Sequence, residues 1–309
     1  MTQISRAVLI TGCSSGIGRA TALRLAAGGW SVWATARRPE AIADLADAGC
    51  RTLALDVTDE ASMEAAVAQV RDAAGAVGVL VNNAGYSQSG AVESVPLEAA
   101  RRQFDTNVFG LARLTQLVLP GMREQRWGKV VNIGSMGGRL TFPGGGWYHA
   151  TKYALEALSD ALRFEVRGFG VDVILVEPGL ITTEFASAAN AALADAASEG
   201  GGAGGGDAGG ASGRPTAAAN GGSAQEDPYG HFNAVVGAVT RGAYEGPLKV
   251  FGGGPDRVAK AIEKAISRDR APSRVVVTPS ARTTIPLRRV LPDRLWDAAM
   301  RRQFPQPGS

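Results

Sequence analysis

Six short apolar runs alternate with helical patterns over the first 176 residues. The runs are Ala7–Ile10, Ser31–Thr35, Arg51–Leu55, Val77–Asn82, Lys129–Ile133 and Val171–Val176, and each reads as a strand bounded by turn signals. Between them the pattern predicts helices from Arg19 to Ala26, Pro39 to Ala48, Thr58 to Ala74, Leu97 to Thr106 and Val108 to Gln125. A helix from Pro255 to Arg268 puts Val258, Ile262 and Ile266 on one face, and Arg274–Val277 follows as a seventh strand. Continuous apolar strands separated by helices need cover on both faces of a sheet. The expected fold is α/β, a doubly wound Rossmann-type architecture with a parallel seven-stranded sheet and helices on both faces.

The first strand runs into Thr11-Gly12-Cys13-Ser14-Ser15-Gly16-Ile17-Gly18 and then a helix that Gly28-Gly29 stops. Strand, glycine loop and helix are the context of a dinucleotide site. Glycines let the backbone approach a pyrophosphate, and the helix N-terminus offers free N–H groups with positive dipole character. Gly12, Ser14, Ser15, Gly16, Ile17 and Gly18 are the candidate phosphate-loop residues. The spacing is Gly-x-x-x-Gly-x-Gly, and a tight connection without ligand is the plain alternative.

Tyr148 and Lys152 stand four residues apart, and Ser135 lies thirteen residues before Tyr148. On a helix that spacing places the phenol and the ammonium on one face. A fixed cation favours phenolate, so Lys152 is expected to lower the Tyr148 pKa and make it a proton donor and acceptor near neutral pH. Tyr-x-x-x-Lys also occurs on ordinary solvated helices. Ser135 falls at the carboxyl end of the fifth strand, where ligands of such sheets bind.

Composition narrows the class. The chain has 309 residues, 45% of them hydrophobic, and a net charge of +3, which does not demand nucleic acid as a partner. Cys13 and Cys50 give neither a disulfide framework nor a metal-ligand cluster, and a buried reduced thiol is expected for both. No apolar run is long enough for an integral membrane segment, and the few residues before the first strand leave no room for a signal peptide. A cytoplasmic protein is the expectation. One domain over residues 1–309 is expected, with a flexible Gly/Ala-rich insertion at about 186–226 and a C-terminal extension from about 279. In that extension Leu287, Leu291, Leu295 and Trp296 recur at helical spacing among arginines. Such a stripe can cap the core or lie on a membrane surface, and capping is the commoner outcome.

Taken in order, Thr11 to Gly18, Asp56-Val57, Asn82-Asn83-Ala84-Gly85, Asn107, Ser135, Tyr148 to Lys152, and Pro178-Gly179 with Thr183 resemble the short-chain dehydrogenase/reductase family. The tail looks like that of 17β-hydroxysteroid and retinol dehydrogenase-like members. The resemblance implies Tyr148 as proton donor and acceptor, Ser135 holding the substrate oxygen, and Lys152 holding the nicotinamide ribose. It gives Asn107 a water relay to Lys152, beside the plainer reading of a helix-kinking or capping residue, and both roles can hold together. Asp56 and Val57 would contact adenine, although Asp56 could instead be a helix N-terminal acid. Asn83, Ala84 and Gly85 would line the adenosine ribose, and Pro178, Gly179 and Thr183 would close over the nicotinamide amide and pyrophosphate.

NAD enzymes of this fold place an acid at the end of the second strand. That position is Ala36 here, followed by Arg37 and Arg38. Loss of the carboxylate removes repulsion against a 2′-phosphate, and an arginine fork can grip it. NADP(H) is therefore expected in preference to NAD(H), with Arg37 as the contact, against the alternative of two surface arginines. Gly137, Gly138, Leu140, Phe142, Gly144 and Trp147 would line a mostly apolar substrate pocket, suited to a hydrophobic alcohol or carbonyl compound. His149 reads as structural, and His231 as a residue that could approach the pocket. A homodimer or homotetramer is expected through the helices after Asn107 and Tyr148, with Leu111, Leu114, Val118, Leu155 and Leu158 as the permitting apolar positions. The competing reading is a non-catalytic Rossmann protein that senses NADP(H).

Overall fold

Burial of alternate strand residues on opposite faces builds the molecule. In a computed structural model, which describes residues 4–182, 228–246 and 250–307, seven strands form one parallel sheet in the order β3-β2-β1-β4-β5-β6-β7. The strands are β1 (Val8–Ile10), β2 (Val32–Ala36), β3 (Arg51–Ala54), β4 (Val79–Asn82), β5 (Gly128–Ile133), β6 (Val171–Glu177) and β7 (Arg274–Val276). The order reverses between β1 and β4, the switch point outside whose carboxyl ends ligands of such sheets bind.

One face of the sheet presents Val8, Ile10, Val81, Val131 and Ile174. It is covered by α1 (Gly16–Ala27), a 3₁₀ segment at Pro39–Ala46, and α7 (Pro255–Ile266). The other presents Leu9, Trp33, Leu80, Val130 and Val173. It is covered by α2 (Glu60–Ala74), α4 (Leu111–Glu124) and α5 (Gly146–Val166). Between them in chain order lie α3 (Leu97–Phe104) and α6 (Gly230–Glu245), and the chain ends in α8 (Pro279–Val290) and α9 (Asp293–Arg301). The predicted alternation and both-face cover are present.

Three local expectations change. The segment after β2 is 3₁₀, not α, and ends at Ala46. The helices predicted on either side of Asn107 are one continuous run, joined by a π-helical turn at Asp105–Gly110 that contains Asn107. A side chain at Gly110 would collide with the Val57 carbonyl, so the turn packs directly on the loop after β3. Third, four of the five positions expected to support oligomerisation face inward: Leu111, Leu114, Val118 and Leu155 are at most 7% exposed, and Leu158 alone lies outside at 42%. They fill the core against β5 and β6 because α4 and α5 turn their apolar stripes to the sheet.

Cys13 and Cys50 are free and buried, as expected. Trp296 caps the core, packing on Phe142 at 6.2 Å between ring centroids, while Leu287 and Leu295 of the same predicted stripe stay exposed. No helix among the described residues is long and apolar enough to cross a membrane. The insertion expected at 186–226 lies outside the described residues.

Candidate active site

A cavity of about 1320 Å³ opens along the carboxyl ends of β1, β2, β4, β5 and β6. Its walls bring together residues that are far apart in sequence. At one end lie Gly12, Ser14, Ser15, Gly16 and Ile17 with Ala36, Arg37, Asp56 and Val57, and in the middle Asn83, Ala84 and Gly85. Ser135, Tyr148, Lys152, Pro178 and Gly179 line the far end. Thr183 lies outside the described residues.

The glycine loop is held by hydrogen bonds that leave its own helix end open. Gly12 and Gly16 have φ of +71° and +56°, the left-handed region that glycine adopts at least cost. A Cβ on Gly18 would strike the Gly12 carbonyl and the Asn83 amide, so Gly18 serves packing and does not line the cavity. Ser15 caps α1 without a side-chain hydrogen bond, which leaves backbone N–H groups of the first turn available to a ligand. The Thr11 hydroxyl accepts from the Asn83 and Ala84 N–H groups at 3.0 and 2.9 Å. Asn83 Nδ2 donates to the Thr11 and Gly12 carbonyls at 2.9 and 3.0 Å. Its side chain therefore stitches β4 to the loop. Thr11 is part of this site, although the motif alone gave it no role.

Asp56 does not cap α2; Asp59 does, accepting from the Ala61 and Ser62 N–H groups. Asp56 Oδ1 instead accepts from the Thr58 N–H and hydroxyl at 2.9 and 2.7 Å, a turn that faces the cavity. Arg37 is exposed and lines the cavity, and Arg38 does not line it.

At the far end Tyr148 and Ser135 are hydrogen-bonded side chain to side chain. Ser135 Oγ also accepts from the Gly137 N–H at 3.0 Å. Lys152 Nζ donates to the Ile133 carbonyl at 2.8 Å and lies 5.7 Å from the centroid of the Tyr148 ring. Both groups face the cavity, but the electrostatics differ from the expectation. Burial raises the Tyr148 phenol above its usual value; the Ser135 hydrogen bond only partly offsets this, and the neighbouring Tyr244 adds to the rise. Burial lowers Lys152 to about 8. The reason is competition: desolvation acts on both groups, and the ammonium spends its donor on a backbone carbonyl.

Asn107 Nδ2 donates to the Tyr86 carbonyl at 2.9 Å and to Thr151 Oγ1 at 3.2 Å, while its Oδ1 accepts from the Tyr86 N–H. Thr151 in turn donates to the Tyr148 carbonyl at 2.7 Å. A hydrogen-bonded line thus runs from the π turn to the first turn of α5. Gly179 and Leu180 are fixed from the N-terminus of α8: the Gly179 N–H donates to Thr278 Oγ1 at 3.0 Å and the Leu180 N–H to Ser280 Oγ at 3.2 Å.

His149 is structural, as expected. Phe142 N–H donates to Nε2 at 3.2 Å, so Nδ1 carries the proton toward the Gly137 carbonyl at 3.0 Å. His231 is exposed and does not line the cavity. Of the expected substrate lining, Gly137, Phe142 and Gly144 are present. Gly138, Leu140 and Trp147 are not, because Gly138 packs under α5, Leu140 is fully buried, and the Trp147 indole turns toward Val92. Val236, Val239, Thr240 and Tyr244 of α6 take their place. Nothing in the spacing docks α6 here; the Asn233 side-chain Oδ1 accepts from the Ala91 N–H at 3.1 Å and fixes it.

Beneath the site Arg274 reaches Asp160 at 2.7 Å, Glu156 at 3.0 Å and Glu177 at 3.6 Å, and Arg139 reaches Glu156 at 3.2 Å. Oε1 of Glu156 and of Glu177 are buried without a donor. Glu177 is raised to about 7, by burial first and then by its neighbour Glu156.

Residues 6–194 match the short chain dehydrogenase family. A 3-ketodihydrosphingosine reductase of Bacteroides thetaiotaomicron is 42% identical over 179 residues, which are 58% of this chain and 65% of that protein. An NADPH-dependent 3-dehydrocapnine reductase of Ornithobacterium rhinotracheale is 39% identical over 188 residues, 58% of this chain and 66% of that one. The chain thus spans just under two thirds of the length of these relatives. A short-chain dehydrogenase from Streptomyces avermitilis superposes with a TM-score of 0.73 at 34% identity, covering 96% of each chain. With the glycine loop, the seven-stranded order and the serine, tyrosine and lysine on one wall, this chain belongs to the short-chain dehydrogenase family of oxidoreductases.

Proposed function

We propose that this protein interconverts a hydrophobic secondary alcohol and its ketone or aldehyde with NADP(H). The observation that carries the reading is one continuous cavity with Ser135, Tyr148 and Lys152 at one end and the glycine loop and Arg37 at the other. The residues fit a dinucleotide: positive-φ glycines, an uncapped helix N-terminus and a cavity wall without an acid at Ala36. When bound, the nicotinamide supplies or accepts the hydride.

This chain's own residues handle the proton. The Tyr148 hydroxyl gives a proton to the substrate oxygen in reduction and takes it back in oxidation. Ser135, already hydrogen-bonded to Tyr148, donates to the same oxygen and stabilises its developing charge. Lys152 has further N–H donors beyond the one held by Ile133, enough for ribose hydroxyls, and its charge favours the tyrosinate. Asn107 positions α5 through Thr151 and, by the family likeness, holds water toward Lys152. Arg37, which lines the cavity, would hold a 2′-phosphate. Asp56, Val57, Asn83, Ala84 and Gly85 frame the adenosine half, and Pro178 and Gly179 the nicotinamide half.

The apolar wall of Phe142, Leu180, Val236, Val239 and Phe304 supports a hydrophobic substrate, and Tyr244 offers it one hydroxyl contact. The two relatives named as reductases support ketone reduction, one of them with NADPH. Exposed Phe109 on the π turn and Tyr153, Leu158 and Phe164 on α5 support a homodimer or homotetramer through these helices. The test follows NADPH loss over a panel of steroid, retinoid, aliphatic and quinone carbonyls, with NADH as control. An enzyme of this kind loses turnover in Tyr148→Phe and keeps its NADPH affinity. Trace activity indifferent to Tyr148→Phe establishes the sensor reading instead.

A further inference from the structure

The charge of this chain is not spread evenly. From Pro279 onward there are six arginines against two aspartates, a net +4, so the rest of the chain, with +3 overall, carries −1. That basic segment folds as α8 and α9. Arg288 is neutralised locally: its guanidinium reaches Asp293 at 2.6 Å and covers the Trp296 ring at 5.4 Å. Arg282, Arg289, Arg294, Arg301 and Arg302 are exposed and make no ion pair among the described residues, and Asp297 is the one other acid nearby on these helices.

Apolar side chains stand among these arginines. Leu287, Val290 and Leu295 are 49%, 75% and 57% exposed. On α8, Thr283, Leu287 and Val290 fall at i, i+4 and i+7, one face of the helix. Arg282 and Arg289 run beside them, seven residues apart. Thr283 lines the cavity, as do Thr284, Gln303 and Phe304 of the same C-terminal segment. The exposed apolar face therefore begins at the cavity wall and runs outward.

We propose that α8 and α9 form a docking surface for an anionic lipid bilayer, with the apolar face entering the acyl boundary and the arginines meeting lipid phosphates. Apolar burial and a basic cluster are the two signals that together hold a protein on a membrane when neither suffices alone. Charge complementarity selects the anionic leaflet. Exposed leucine and valine side chains have no role against a nucleic-acid backbone, so the mixed face favours lipid. Docking would set the cavity beside the bilayer, from which hydrophobic molecules are drawn.

The experiment sediments the full-length protein with vesicles of phosphatidylcholine alone or with about 30 mol % phosphatidylserine. Partitioning about tenfold stronger onto the anionic vesicles, lost in about 0.5 M salt, is expected. Leu287→Ser/Val290→Ser and Arg289→Glu/Arg294→Glu should each abolish it while keeping the parent melting temperature, since none of the four lines the cavity. Equal or absent binding to the two vesicle types, or variants that bind like the parent, overturns the proposal. So does self-association in sedimentation equilibrium that disappears in Leu287→Ser/Val290→Ser, which would make this face a contact between two copies. A variant that melts early is replaced by Val290→Ser alone, judged by the same readout.

Discussion

Lys152 Nζ is 2.8 Å from the carbonyl oxygen of Ile133 and 5.7 Å from the centre of the Tyr148 ring, so the ammonium is bound to the end of β5. The cation is present and correctly sided, but burial holds both it and the phenol toward their neutral forms. Pairing that lowers the phenol needs further partners for Lys152, and ribose hydroxyls are suitable ones. Catalytic competence is thus expected to appear with cofactor.

Such a lysine costs stability. Its folded-state value near 8 lies below the unfolded 10.5, so between those pH values the folded form binds fewer protons and stability climbs with pH. Lys152→Met should stabilise the cofactor-free protein at pH 7 on the order of 2 kcal/mol, flatten the climb between pH 8 and 10.5, and abolish turnover. Urea unfolding at pH 7 and pH 10 measures it; a less stable methionine variant refutes the reading.

Glu177 behaves in the opposite sense. Its carboxyl is raised from 4.5 to about 7, so within that window the folded state binds more protons than the unfolded. Stability from this group is complete below pH 4.5 and is lost as pH rises through 7. Glu177→Gln should remove that slope and gain on the order of 2 kcal/mol at pH 8. Melting temperatures of parent and variant at pH 5 and pH 8 decide it, and parallel pH curves would exclude the raised Glu177 carboxyl.

Arg37 should set the cofactor preference. It lines the cavity at the end of β2, where Ala36 stands in place of the carboxylate that would repel a 2′-phosphate. Arg37→Ala is expected to weaken NADPH binding about 10- to 100-fold and to leave NADH within a factor of about three. Equal losses for both cofactors, read by fluorescence titration, would assign Arg37 a general role instead.

Thr11 carries the junction between β1 and β4. Its hydroxyl accepts two N–H groups, from Asn83 and Ala84, at a site 1% exposed to solvent. Thr11→Val leaves both donors without a partner and should cost about 2 kcal/mol of stability, with weaker cofactor binding because Asn83 also steadies Gly12. Thr11→Ser should recover most of both. Failure of serine to rescue would point to lost packing rather than lost hydrogen bonds.

The readable parts of the chain were those governed by local rules. Continuous apolar runs and period-3.6 patterns placed all seven strands and α1, α2 and α7, because burial on both sheet faces forces continuous apolar strands between amphipathic helices. Gly12 and Gly16 were legible because few other residues tolerate their φ. The π turn at Asp105–Gly110 was not, since it arises from Gly110 lying on the Val57 carbonyl and from Asn107 bonding Tyr86, contacts between separate elements. Nor was the inward turn of Leu111, Leu114, Val118 and Leu155, which a helical stripe cannot distinguish from an interface.

By itself the sequence determined the strand order's raw material, the phosphate loop and the Ser135, Tyr148 and Lys152 triplet, all properties of spacing along one chain. Tertiary structure alone decided which elements close the substrate end, bringing α6 and Phe304 into one cavity wall with Phe142, and which way the active-site charges lean. Spacing fixes the side of a helix on which a group stands. Its solvation and its competing hydrogen bonds depend on what the rest of the fold packs around it.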